Sequence, residues 1–218
     1  MVPELTFAEL AAVFGEQGVW RADPATLPDG LRHDGTRGFL TDVGLPRTLR
    51  DGFIDLDESV LDGRFPTLPE VYRELGPVRE WSWQQPDGAD HWYVIAHFVG
   101  GDVAVDGDSG RVWFLPEWDA PPEPLNSGVD AFAYFMYAFE RDRELYSAER
   151  ADRIEDDPDD PRDGIAVFEE AARALARELH AADPTPFTTD DFQGEPFPDG
   201  FAGPWTQAFE DIAGGMWG

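Results

Sequence analysis

Apolar and polar positions along the chain change their period twice, and the changes divide it into helical, extended and again helical stretches. At the start, Thr6 can cap a short helix and Glu9, three residues on, can return the bond, while Leu5 and Leu10 stand where a hydrophobic staple belongs. Gly15 and Gly18 end that helix, and Pro24, Pro28 and Gly30 make an irregular connection of the stretch from Trp20 to Leu31. Short extended pieces are expected at 38–43 and 53–56, separated by the turn-rich Gly44-Leu45-Pro46.

The middle of the chain reads as strands. Segments 78–84, 92–99, 103–105 and 112–115 are rich in Trp, Tyr, Phe, Val and Ile, which suit a pleated, partly buried surface. Between them lie Pro86-Asp87-Gly88, Gly100-Gly101 and Asp106-Gly107-Asp108-Ser109-Gly110. Loops this short join antiparallel neighbours, so the segments form a meander.

After Pro121-Pro122-Glu123-Pro124 the period lengthens to about 3.6. Asn126 or Ser127 can cap a helix that places Val129, Phe132, Ala133, Met136 and Phe139 on one face. A second helix is expected from 163 to about 181, with Ile165, Phe168, Ala172, Leu175 and Leu179 as its apolar stripe. The run Glu155-Asp156-Asp157-Pro158-Asp159-Asp160 between them is an exposed loop, because like charges repel and offer nothing to a core. Residues 183–203 look irregular, and a last helix is expected from Pro204, burying Trp205, Phe209 and Ile212 before Gly214-Gly215 stops it. The sum is an α+β fold: a mostly antiparallel sheet meander, helices packed on one face and additional C-terminal helices. Residues 1–218 read as a single domain, with 149–218 as a C-terminal helical extension of it.

Charge changes the picture more than hydrophobicity does. Forty-five Asp plus Glu against sixteen Lys plus Arg leave a formal charge of −29. Such a field repels nucleic acid and anionic membranes and speeds encounter with a basic partner, though it also serves general solubility. With 42% hydrophobic residues, eight Trp and sixteen Phe, the chain nevertheless has the means to bury a core. The absence of cysteine removes disulfides, thiolate nucleophiles and Cys-ligated zinc. The start Met1-Val2-Pro3-Glu4 has neither a basic nor an apolar leader region, and no run approaches the roughly 18 apolar residues of a membrane span, so a cytoplasmic location is expected.

Few residues combine into catalytic chemistry. Asp55 and Asp57 would share a strand face, but Phe53, Ile54 and Leu56 supply the buried side, which makes the two carboxylates solvated edge residues. The run from Asp106 to Gly110 begins like a calcium loop, yet Arg111 stands sixth, where glycine is required, and a hairpin turn explains the same residues. His91 and His97, six apart on one strand, would lie roughly 20 Å from each other and cannot share a metal. His33 falls in a loop and His180 near a helix end, where a cation is ordinary. No Gly-x-Ser-x-Gly elbow is present, and the glycines at 107 and 110 precede a strand rather than a phosphate-cradling helix. No enzyme activity, cofactor or metal is expected. The aromatics are more informative: Trp81, Trp83, Trp92, Trp113 and Trp118 fall on or beside the sheet, and any Trp left outside among carboxylates would suit a hot spot facing a basic partner.

The order of motifs resembles a known family. Phe39-Leu40-Thr41-Asp42-Val43-Gly44-Leu45-Pro46, a meander containing the Gly-Gly turn and Asp106-Gly107-Asp108-Ser109-Gly110-Arg111-Val112, then Leu125-Asn126-Ser127 opening an aromatic-rich helix, is similar to the SUKH superfamily (Smi1/Knr4-like), and most to its SUKH-4 branch. The similarity covers roughly 37–145, and the Trp205 helix is compatible with it, whereas the tail after Ala148 lies outside the recognisable part. The resemblance implies an α+β immunity protein that binds and neutralises a polymorphic toxin. Many toxins of such systems resemble nucleases or nucleic-acid deaminases with basic clefts, which carboxylates and aromatics can occupy. The alternative is an acidic nucleic-acid mimic or regulatory scaffold without a dedicated toxin. On the toxin reading, the binding surface is expected around the sheet edge at Trp83, Asp106, Asp108, Glu117, Trp118 and Asp119.

Overall fold

The structure is a computed structural model and describes residues 1–74, 86–157, 162–187 and 203–217. The expected strand 78–84, with Trp81 and Trp83, therefore lies outside the described residues. In chain order the elements are α1 (Phe7–Phe14), β1 (Val19–Trp20), α2 (Asp34–Asp42), β2 (Leu45–Pro46), β3 (Thr48–Leu49), α3 (Arg50–Phe53), β4 (Ile54–Leu56), α4 (Glu58–Leu61) and α5 (Leu68–Glu74). After these come β5 (Trp92–Phe98), β6 (Gly101–Asp106), β7 (Val112–Pro116), β8 (Glu123–Asn126), α6 (Val129–Arg141), α7 (Ala148–Glu155), α8 (Gly164–Ala182) and α9 (Thr206–Ala213). They fall into two compact units, Val2–Tyr134 and Phe135 onward, the latter including Met1.

The first unit is built on a six-stranded antiparallel sheet in the order β3-β4-β5-β6-β7-β8, so each strand pairs with its sequence neighbour; the short loops from β5 to β8 require this, whereas β4 and β5 pair although α4 and α5 lie between them. A separate two-stranded ribbon joins β1 to β2. One face of the large sheet carries Trp92, Val94, Ala104 and Leu115, and α5 covers it with Leu68, Val71 and Tyr72. Trp113 lies flat on Trp92, with ring centroids 5.0 Å apart. The other face holds Tyr93, Val103, Val105, Val112 and Phe114, all buried. Phe98 joins that face between Phe53 and Phe114, at 5.2 and 5.4 Å.

A β-bulge in β5 decides which face receives the end of that strand. Val94 pairs with Ala104 and Ala96 with Val103, so Ile95 has no partner on β6. Its carbonyl instead accepts the Asp57 N–H at 3.0 Å. The extra residue reverses the alternation, turning Ala96 and Phe98 into the core and His97 out of it.

Several local signals act as the sequence predicts. The Thr6–Glu9 capping box of α1 is complete, with Leu5 and Leu10 buried beside it. Other expectations are corrected. Residues 38–43 are not extended but end α2, because His33 accepts the Thr36 N–H and caps a helix starting at Asp34. α6 begins at Val129, and Asn126 ahead of it is a buried residue of β8, where Pro124 is tolerated because β8 is an edge strand. Asp55 is not an edge residue either, since β4 lies between β3 and β5, and Asp57 follows β4 as the cap of α4.

The second unit is helical. Phe139 is its centre, in ring contact with Trp205, Phe209 and Trp217 at 5.2–5.4 Å. Tyr146 donates to the Phe139 carbonyl, and burial pushes its phenol well above the ordinary range. Asp163 caps α8 through the Ala166 N–H at 2.8 Å. Of the predicted stripe on α8, Ala172, Leu175 and Leu179 are buried, but Ile165 is 65% exposed in the first turn. Arg141 bridges Asp142 and Glu178, at 2.5 and 2.9 Å, tying the end of α6 to α8. Glu155, at the start of the acidic run, ends α7 and accepts the Gly164 N–H; residues 158–160 of that run lie outside the described residues.

Candidate functional site

The predicted surface residues separate onto two ends of the β6–β7 hairpin. Asp106 and Asp108 lie at the turn leaving β6, and Glu117, Trp118 and Asp119 follow the far end of β7. Five strand steps place these groups roughly 17 Å apart. Trp83 lies outside the described residues.

At the first end the carboxylates are engaged in holding the fold. Asp106 accepts the Asp108 N–H at 2.9 Å and the Ser109 hydroxyl at 2.5 Å, which closes the turn on itself. Gly107 offers its carbonyl to the N–H groups of Arg32 and His33, at 2.8 and 2.9 Å, and donates its own N–H to the His91 carbonyl at 2.8 Å. A Cβ on Gly107 would stand 2.4 Å from the Gly30 carbonyl oxygen, so glycine is needed for this approach. Asp108 then pairs with Arg32 Nη1 at 3.0 Å and faces His91 Nδ1 at 3.3 Å. The calcium-like spelling of this run thus builds a clasp between the β6–β7 turn and residues 30–33.

The opposite end offers side chains to solvent. Trp118 is 53% exposed although its ring edge rests on Phe114, 6.1 Å between centroids. The Glu117 N–H bonds to the Gly100 carbonyl at 2.9 Å, and the Ala120 N–H returns to the Trp118 carbonyl at 2.8 Å. The loop is anchored at both sides of the indole. Gly100 has a φ of +81°, and a Cβ there would lie 3.3 Å from the Trp118 ring, so the Gly-Gly turn makes the shelf that supports it.

Register brings further carboxylates to this end. Asp55 lies opposite His97, and His97 opposite Asp102. The imidazole is held between Asp102, 2.8 Å from Nδ1, and Asp57, 3.2 Å from Nε2. The hydrogen bond to Asp102 and the neighbouring negative charges raise the His97 pKa above its ordinary value, against a smaller opposing effect of burial. Asp57 also caps α4 through the Ser59 N–H at 2.7 Å. The sequence reading missed this group because the bulge, which no local residue pattern announces, sets the face of His97. Among the described residues no group of His, Asp and Glu is arranged to hold a metal ion.

The arrangement supplies an aromatic contact ringed by acceptors, with exposed Glu117 and Asp119 beside it and Val99 38% exposed nearby. That composition recognises apolar surface bordered by cationic groups. Among the described residues no helix is long and apolar enough to cross a membrane.

Comparison with known protein families finds a match over nearly the whole chain. The family model described as SUKH-4 immunity protein covers residues 5–210. It thus reaches well beyond 37–145, taking in both α1 and the helices after Ala148. No curated protein and no solved structure matches the chain.

Proposed function

The chain belongs to the SUKH-4 immunity protein family, and on that premise we propose that it neutralises a polymorphic toxin by stoichiometric binding, without turnover, in the cytoplasm. The partner is a basic toxin, one whose nucleic-acid-processing site presents Lys and Arg. The observation that carries this reading is Trp118, half exposed on a Phe114 and Gly100 shelf between Glu117 and Asp119. A supported, solvent-facing Trp loses little conformational freedom when it is covered, which is why such residues dominate binding energy. The charge of −29 adds long-range attraction to a cationic surface.

The test is co-expression with the toxin encoded beside this protein, followed by measurement of the complex. Wild type should restore growth, and Trp118→Ala should weaken binding by about tenfold or more. The association rate should fall as salt rises. Rescue by the Trp118→Ala variant with unchanged affinity would remove this surface from the reading. Equal affinity for unrelated basic proteins would instead favour an acidic mimic or scaffold.

A further inference from the structure

The first unit contains a second feature that the Trp118 end does not use. Residues 2–5, the first turn and last residues of α2, and the first turn of α6 enclose a cleft of about 420 Å³. Its apolar wall includes Phe39, Val43 and Val129, and its carboxylates are Glu4, Asp42 and Asp130, all three exposed. Among the lining residues there is no Lys or Arg. The volume lies within the roughly 300–1,000 Å³ of pockets that take small ligands, ample for a long side chain.

Charge decides what kind of occupant fits. The N-terminal turns of two helices border the cleft, and each would favour an anion with about half a positive charge. Three carboxylates outweigh that, and the result is net negative. Two of the three have a local account: Asp130 lies in the first turn of α6, where the helix dipole favours it, and Glu4 is a solvated residue ahead of α1. Asp42 does not. It is the last residue of α2, a helix with no basic residue in its last turn, so its charge sits where the dipole disfavours it. Its contact within the fold is a 3.4 Å hydrogen bond from the neighbouring Thr41 hydroxyl. A carboxylate held against its own helix and facing an apolar cleft is suited to a cation brought from outside.

We infer that this cleft receives an arginine side chain of the partner protein, its guanidinium between Asp42 and Asp130 and its stem against Phe39 and Val129. Arginine fits better than lysine because its planar, weakly hydrated head both pairs with carboxylates and lies on aromatic surface. The inference rests on the toxin-binding reading for the source of the arginine, but not for the chemistry of the cleft. It makes the interface two-pronged, with Trp118 and the cleft as separate anchors.

Two measurements separate the cleft from the wider reading. In a titration of the full chain with N-acetyl-arginine methylamide, followed by amide NMR, saturable shifts should appear at Gly35, Gly38 and Gly128. The uncharged isostere N-acetyl-citrulline methylamide should bind at least fivefold more weakly. Asp42→Asn should reduce arginine binding by a similar factor while leaving the melting temperature unchanged or higher, and Asp42→Asn with Glu4→Gln should reduce it further. Equal binding of the two probes, shifts located elsewhere, or an Asp42→Asn variant that binds as wild type does would overturn the inference. With the toxin, protection and affinity that survive Asp42→Asn but not Trp118→Ala would also reject the cleft while sparing the proposed function. Absence of protection by wild type would reject the proposed function while leaving the arginine titration intact.

Discussion

His97 shows how one side chain can report on the whole acidic end of the sheet. Its two nitrogens face Asp102 and Asp57, and the hydrogen bond to Asp102 with the neighbouring negative charges raises its pKa above the ordinary value. A folded-state pKa above the unfolded value of about 6.5 contributes stability below that pH and loses it as pH rises through the folded pKa. The side chain is 60% exposed, which screens the effect and keeps it small. The expected outcome is that His97→Asn costs more stability at pH 5.5 than at pH 8.5, and that Asp102→Asn moves the NMR titration midpoint of His97 downward. A midpoint unmoved by Asp102→Asn would refute the assignment. Trp118 belongs to the same scale: its type and acidic neighbours were legible in the sequence, but its exposure was not, since Phe114 four residues earlier is equally aromatic and buried.

Elements that carry their own instructions were the readable ones. The capping box of α1, the start of α8 beside Asp163 and the short loops of the β5–β7 meander all depend on residues within a few positions of each other. Helix α2 was misread as extended because its start depends on His33, which is an uncommon cap, and its interior contains Gly35 and Gly38, which suit helices poorly. The hairpin between β5 and β6 illustrates a steric requirement that spacing alone does not reveal. A Cβ at Gly101 would lie 2.2 Å from the Leu115 carbonyl oxygen, a backbone atom of β7 that cannot rotate away. Gly101→Ala should therefore destabilise the protein by about 2 kcal/mol, measurable by urea denaturation, through displacement of β6 from β7. It should also weaken toxin binding through the Trp118 shelf next to it.

The charge of the molecule as a whole acts on folding and on association with opposite sign. An excess of 29 negative charges repels itself in the folded state, and salt screens that repulsion, with a Debye length falling from about 30 Å at 0.01 M to about 3 Å at 1 M. The melting temperature should rise by several degrees across that range, whereas affinity for a basic toxin should fall. A complex whose affinity is flat in salt would point to an interface made by Trp118 and apolar contacts instead. The sequence by itself determined the α+β class, the antiparallel meander, several helix ends, the sign of the long-range field and the family, because each is written in composition, local spacing or motif order. Tertiary structure decided how the carboxylates are engaged within the fold. Asp106 and Asp108 were prominent in the sequence yet close a turn and clasp residues 30–33, while Asp42, inconspicuous there, faces a cleft. The physical reason is that a carboxylate's role is set by the donors that reach it. For Asp106 they are its own turn neighbours, as the hairpin spelling implies, whereas for Asp108 they are Arg32 and His91, distant in the chain and brought close where Gly107 contacts residues 30–33, which local pattern does not encode.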